Sequence, residues 1–426
     1  MKRYFIVFLV AIIGINETIT AQEADVKIGN LINQTDWFAL EEEYPKLKDE
    51  MQSEMLKHLS EAMIGFNFNQ PQNAIQAIDW LLANAQDEIG FGNVSSLILI
   101  KSLILATQGL YAESADNLSN FLTQVSQFTD LGDFTAHNET MVFYEGIRNE
   151  SKPEIIRPER DVEIPLMIED VTRGQLMYVP VNIKGKEYKF IYDTGASSTL
   201  ISERLANEIG VRITKDSINL GGVTAKKGVI DSMMIGDIIF KNSHAIIGLP
   251  NEETDTIFQI DAVLGLDFII RIGETQIFVE EQKIIFPIQG TELPSFGRNL
   301  MFWNSASPYL RMYSNEEKLL FLFDTGNVKT DLFIVYYEKH KENLDKTATK
   351  RTVRKGGFSG LGFLEAYQLA KLPLTIGNRS FELTNVDVEL NDVIPKYNED
   401  GLLGMDFITS FKRVIINFDD MFVKVE

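Results

Sequence analysis

Apolar positions recur along this chain with two different periods. Over roughly residues 25–149 they return every three or four positions, in long segments rich in Ala, Leu, Glu and Gln and poor in Pro, which predicts amphipathic helices. From about residue 166 the pattern shortens. Runs such as "LMYVPVNI", "YKFIY", "GVIDSMMIG" and "TQIFVEEQKIIFPI" are separated by glycine-bearing turns and enriched in β-branched and aromatic residues, which predicts strands. Between the two lies "NESKPEIIRPERDVEIP", with three prolines, mixed charge and neither period, the composition of a linker. The expected organisation is a helical domain over 22–150, a linker over 151–165 and a mainly-β remainder.

Within the helical part, "FNQPQNAIQAIDWLLAN" and "GLYAESADNLSNFLTQ" each place a small residue, Ala74 or Ala115, at the start of an amphipathic helix. Such helical hairpins resemble tetratricopeptide-type repeats, although the spacing of 41 is longer than that family's usual period. An irregular helical bundle fits the same letters.

Upstream, Lys2 and Arg3 precede an apolar run from Phe5 to Ile15 and a small residue at Ala21, the layout of a secretory signal peptide over 1–21. The mature chain is then expected to begin near Gln22 and to be exported, periplasmic or secreted; retention of the segment as an anchor is the competing reading. The apolar run is short for a bilayer, and no later segment is read as long enough to span one.

Hydrophobic content of 45% and charged content of 24% are those of a globular protein with real cores. The formal net charge of -21 argues against a nucleic-acid partner, which calls for a basic footprint. The absence of cysteine excludes disulfides, thiolate nucleophiles and lipid-modified cysteine anchors. The histidines, His58, His137, His244 and His340, are scattered with no metal-ligand or nucleophile-base spacing.

The chemistry-bearing signal is an internal repeat. "IYDTGASSTL" (191–200) and "LFDTGNVKTDLF" (322–333) both place Asp-Thr-Gly after a strand-forming run. At an offset of 131, "YVPVNIKGKEYKFIYDTG" lies over "YLRMYSNEEKLLFLFDTG" without a gap, and Thr199 matches Thr330 six residues beyond each aspartate. Further on, "MMIGDIIFKN" corresponds to "LTIGNRSFELTN", and "DAVLGLDFII" to "DGLLGMDFIT". From Asp193 to Gly265 is 72 residues and from Asp324 to Gly404 is 80, which places an insertion in the second copy, in "YYEKHKENLDKTATK".

Two carboxylates brought face to face cannot both ionise cheaply and so share a proton, making one a base and the other an acid at the same pH. That chemistry needs no metal and no cofactor.

The repeated apolar-apolar-Asp-Thr-Gly, each copy followed by apolar-apolar-Gly, resembles aspartic proteases from about Leu166 to the C-terminus. "DTGASST" and the later threonine resemble the retropepsin branch, and two copies in one chain resemble the bilobed arrangement of pepsin. The resemblance implies a bilobed acid-protease fold, with lobe 1 over 166–295 and lobe 2 over 296–426. It implies an aspartic endopeptidase with Asp193 and Asp324 catalytic, acting on a peptide or protein substrate. It further implies that Thr194 and Thr325 interlock across the lobes and that Gly195 and Gly326 bring backbone N–H groups close to the carboxylates. Val263-Leu264-Gly265 and Leu402-Leu403-Gly404 are expected to pass behind the catalytic loops as buried strands.

Two glycine-rich stretches, "NLGGVTAKKGV" (219–229) and "VRKGGFSGLGF" (353–363), lie where flaps would fall, giving Gly221, Gly222, Val223, Gly356, Gly357 and Phe358 as substrate-binding candidates; ordinary surface hairpins fit the same letters. The basic run "KTATKRTVRK" (346–355) reads as a solvated loop or as an attractor of acidic substrate residues. Three residues past each aspartate, where pepsin-like enzymes carry a hydroxyl, stand Ala196 and Asn327. Asn327 either replaces the hydroxyl with its amide or distorts the second loop. The alternative function, which a distorted loop would favour, is a catalytically silent peptide-binding scaffold whose helical domain recruits a protein partner; an inhibitory or substrate-delivering helical module is a third possibility.

Overall fold

A computed structural model describes residues 19–127, 133–171, 174–220, 223–248, 261–303, 307–357, 360–390 and 399–426; for residues 19–22, 215–220, 223, 356, 357, 360 and 361 it describes the backbone alone. The chain divides into two compact units at Lys152/Pro153.

The first unit is helical, with helices Ile19–Asn33, Trp37–Leu47, Glu54–Asn67, Pro71–Asn84, Gln86–Thr107, Tyr111–Val125 and Thr135–Glu145 among the described residues. Local sequence starts several of them. Asp36 and Ser53 cap their helices by accepting from the N–H groups of Ala39 and Leu56, at 3.3 and 3.2 Å, and Pro71 occupies a first-turn position where its missing N–H costs nothing. Gly65 lets one helix press against the next: a Cβ there would lie 2.7 Å from the Ala74 nitrogen. The following pair is stitched by polar contacts instead, Ser114 Oγ donating to Ser102 O at 2.8 Å and Asn117 Nδ2 to Ser102 Oγ at 2.7 Å.

Helix Gln86–Thr107, with 22 residues, is long and apolar enough by length and composition to cross a membrane. This corrects the reading that no segment after the N-terminal run approaches that length. Its apolar residues are spent inside the unit, with Leu97, Ile100 and Ile104 buried, and Gly90 breaks its first turn at φ 76°.

His137 is buried in this unit against Phe121 and Phe134, with ring centroids 5.2 and 5.7 Å away. Its Nε2 lies 3.0 Å from Ser95 O and 3.1 Å from Ser95 Oγ, while Nδ1 has no partner. Burial lowers its pKa below the reference 6.5. The unfolded chain therefore binds the proton more readily than the folded one, so this contribution to stability is full above pH 6.5 and is lost as pH falls below it. Circular-dichroism melts should show the helical transition dropping from pH 7 to pH 5, and less so in His137→Gln.

The second unit is the β unit, and its element order is the sequence repeat made visible. In the first half, strands Gly174–Ile183, Lys186–Tyr192 and Leu200–Ile201 precede helix Glu203–Ile209; the hairpin Arg212–Leu220/Val223–Ile235, strand Ile238–Ile247, strand Ala262–Leu264 and helix Leu266–Ile272 follow. The second half repeats this as Ser307–Ser314, Glu317–Phe323, Asp331–Leu332, helix Ile334–Thr347, hairpin Thr349–Gly357/Gly360–Ile376, Arg379–Glu389, Gly401–Leu403 and helix Met405–Ile408. The insertion in the second copy lengthens a helix of 7 residues to one of 14. Gly236 and Gly377 turn equivalent hairpins at φ 55°.

Among the described residues each half builds its own sheet, of nine and eight strands, and a third sheet of five strands draws on both halves. In that shared sheet Glu274–Phe278 pairs antiparallel with Arg413–Asn417, with Lys283–Phe286 and Phe422–Val425 outside them. Much of the stretch read as a linker belongs to these sheets: Glu154–Ile156 pairs with Ile238–Ile247, and Val162–Pro165 extends the shared sheet beside Lys283–Phe286. The second of these strands is four residues long and buries only Val162 and Ile164, too short an alternation to stand out among prolines and charges.

Candidate active site

In each half the strand ending in Asp-Thr-Gly runs parallel to the apolar-apolar-Gly strand, Ile191 and Tyr192 opposite Val263 and Leu264, Leu322 and Phe323 opposite Leu402 and Leu403. The Asp193 N–H donates to Leu264 O at 3.1 Å and the Asp324 N–H to Leu403 O at 3.0 Å, so each aspartate leaves the sheet from a fixed point. Gly265 and Gly404 pass so close behind the loops that a Cβ would lie 2.5 Å from the Ser198 carbonyl carbon or 2.6 Å from that of Lys329.

The two loops meet through their threonines, both fully buried. The Thr194 N–H donates to Thr325 Oγ1 at 3.1 Å and the Thr325 N–H to Thr194 Oγ1 at 3.0 Å, while the two hydroxyls donate to Phe323 O at 2.8 Å and Tyr192 O at 2.7 Å. This reciprocal lock brings Asp193 and Asp324 side by side. A Cβ on Gly195 would overlap the Asp324 carboxyl, and one on Gly326 that of Asp193, so only glycine fits at either place.

Asp193 Oδ1 accepts from the N–H groups of Gly195 and Ala196 at 2.8 and 3.1 Å, and Asp324 Oδ1 accepts from Gly326 N–H at 2.9 Å. Both carboxyls keep some solvent exposure, yet the surrounding protein raises the pKa of each, burial being the largest cause. The ionisation of Asp324 is opposed next by the Asp193 charge. Two carboxyls set side by side in this way cannot both ionise cheaply.

Asn327 does not reach the pair. Its side-chain amide donates to Lys329 O, and its own carbonyl accepts from Met405 N–H at 2.8 Å as Ala196 O accepts from Leu266 N–H at 2.8 Å. The second loop keeps this backbone contact of the first, but its Asn327 N–H donates to the Asp324 backbone O at 3.2 Å where the Ala196 N–H donates to the Asp193 carboxyl.

Both glycine-rich stretches form hairpins, closed by the pairs Leu220–Val223 and Gly357–Gly360. Gly221, Gly222 and Phe358 lie outside the described residues; Val223, Gly356 and Gly357 lie in the hairpin strands. The basic run is corrected from a loop to the end of a helix and the start of a strand, exposed over most of its length but with two cations drawn to internal carboxylates. Arg351 bonds Asp387 and Lys355 sits between Asp331 and Glu389, with Glu389 almost wholly buried. The partners come from strands distant in sequence, which a local reading of charge cannot see.

Residues missed altogether are Asp267 and Asp406, half-buried carboxyls that bind Thr199 and Thr330. Their signal was present in the repeated "LGLDF" and "LGMDF", read only as core.

Residues 179–271 match the model of the family described as "gag-polyprotein putative aspartyl protease". No curated protein matches the chain. Similar solved structures include a retropepsin-like aspartic protease from Rickettsia conorii, at 22% identity, covering 32% of this chain and 91% of that one with a TM-score of 0.22. An aspartic proteinase from Irpex lacteus is 12% identical, covering 62% of this chain and 96% of its own with a TM-score of 0.38. Basic 7S globulin from soybean is 10% identical, covering 62% and 94% with a TM-score of 0.37. The expected likeness of the helical unit to tetratricopeptide repeats found no support. With a family match over the first Asp-Thr-Gly lobe and a second lobe repeating it strand for strand, the β unit has the bilobed fold of the aspartic proteases, built from retropepsin-like lobes.

Proposed function

We propose that this chain is an aspartic-type endopeptidase in which Asp193 and Asp324, one from each lobe, activate a water for attack on a peptide bond. The observation that carries this reading is the reciprocal threonine lock that sets the two carboxyls side by side, where one shared proton is cheaper than two adjacent charges. The ionised member takes a proton from the water while the protonated member donates to the scissile carbonyl. The titration belongs to the pair, and neither aspartate holds a fixed role. The peptide lies extended between the lobes, its backbone pairing with the hairpins 212–235 and 349–376.

Asn327 is the feature that favours a silent scaffold, and its side chain turned to Lys329 O rather than into the pair weighs toward the enzyme. Hydrolysis of unstructured peptides by the full chain is the test.

The same geometry predicts the working pH. The donors to the carboxyls are backbone N–H groups, with no hydroxyl at Ala196 or Asn327, and burial raises both pKa values. A carboxylate with fewer donors to its charged form ionises at higher pH. The pH-rate profile is expected to peak well above about pH 3, and a maximum below that would contradict the account.

A further inference from the structure

Behind each catalytic loop lies a second carboxyl that the dyad mechanism does not use. Asp267 Oδ1 accepts both the Thr199 N–H and the Thr199 hydroxyl, at 2.9 Å each, and Thr199 Oγ1 in turn accepts the Gly265 N–H at 3.2 Å. In the other lobe Asp406 Oδ1 accepts the Thr330 N–H at 2.8 Å and hydroxyl at 2.7 Å, and Thr330 Oγ1 accepts the Gly404 N–H at 3.2 Å. Both threonines are buried to 1% exposure or less.

These bonds end at the dyad. The residue after each glycine donates to the catalytic loop, Leu266 N–H to Ala196 O and Met405 N–H to Asn327 O, both at 2.8 Å. Ala196 is the residue whose N–H holds Asp193 Oδ1 at 3.1 Å, and the Asn327 N–H donates to the Asp324 backbone carbonyl at 3.2 Å. One chain of contacts thus runs from Asp267 through Thr199, the Gly265-Leu266 peptide and Ala196 to Asp193. A second runs from Asp406 through Thr330, Gly404-Met405 and Asn327 to Asp324.

We propose that Asp267 and Asp406 are positioning residues for the Asp193–Asp324 pair, each acting through the threonine it holds to fix the N–H donors of its own catalytic loop. A carboxylate oxygen suits the task because it accepts two bonds at once and donates none. The carboxyl is kept at a cost. Burial is the main cause that raises the pKa of Asp267, to about 6, against the bonds from Thr199 and the charge of Arg271 on its own helix. Asp406 is raised for the same reason, with Thr330 and Lys329 opposing.

The effect on rate rests on peptide hydrolysis being the reaction; the effect on the dyad's titration does not. Comparing Asp267→Ala with Asp267→Asn cancels the lost charge, since both are neutral, and isolates the lost acceptor. For D267A, kcat is expected to fall about 10- to 100-fold, as misplacement of a reacting group does, with KM nearly unchanged. D267N, which keeps an acceptor oxygen, should stay close to wild type. Thr199→Val combined with D267A should lose no more than D267A alone, because the two lie on one path.

In carbon-13 NMR of the aspartate carboxyls of the full chain, D267A should titrate the dyad at higher pH than D267N, as expected when donors to the charged form are lost. If D267A does not fold, D406A against D406N provides the same comparison. Alanine and asparagine variants that agree in both kcat and dyad titration would overturn the proposal. A wild type that cleaves nothing would defeat the protease reading while the titration comparison still decides this one.

Discussion

Asp193→Asn and Asp324→Asn are each expected to leave less than about one-thousandth of the wild-type kcat on a peptide substrate, within the range general acid-base catalysis contributes. The loss should be nearly the same for both, because the titration of two adjacent carboxyls is a property of the pair. An asparagine at either place removes the proton-accepting charge or the proton-donating acid, and the partner cannot perform both tasks. The fold should survive. Burial raises the pKa of both carboxyls, so each costs the fold stability where it is ionised, and a neutral amide fits without that cost. Thermal melts at neutral pH should therefore show the variants at least as stable as wild type. A residual rate in one variant far above the other would mean that the pair does not act as a unit.

The threonine lock should carry the largest stability effect. Thr194→Val keeps the shape of the side chain but leaves Phe323 O without its donor and the Thr325 N–H without its acceptor, in a site with no exposure to water. Each buried unpaired group costs about 1–3 kcal/mol. The two together are expected to lower Tm by roughly 5–15 °C for a unit of this size and to lower kcat as the loops separate. Thr194→Ser keeps the hydroxyl and should recover most of both losses. Thr325→Val should cost about as much, through Tyr192 O and the Thr194 N–H. The double variant loses all four bonds, none of them counted twice, so its cost should approach the sum of the single costs. Denaturant or thermal unfolding of the full chain, following the β unit by near-ultraviolet signals, checks each value.

What the sequence made legible is what the chain states twice. The 131-residue offset aligned the strands, the Asp-Thr-Gly loops and the later glycines, and the sheets pair in that order in both halves. The fold class and the meeting of Asp193 with Asp324 could be reached that way. What could not be reached depends on partners distant in sequence. Asp267 and Asp406 carried no separate signal in the sequence, because the threonines they bind lie 68 and 76 residues away. Lys355 looked solvated until strands at 331 and 389 closed around it. Asn327 could be read either way because the choice depends on a side-chain rotamer, and the Lys329 carbonyl decides it. Residues 153–165 failed for another reason: edge strands of three and four residues carry too few alternating positions to outweigh three prolines.

The most direct test of the dyad is cleavage of a diverse unstructured peptide library by the full chain from pH 3 to 8, read by mass spectrometry beside Asp193→Asn and Asp324→Asn. The account predicts internal cuts by the wild type, strongest well above about pH 3, and none by either variant. A folded wild type that cuts nothing at any pH, or cuts that persist in a variant, would contradict it.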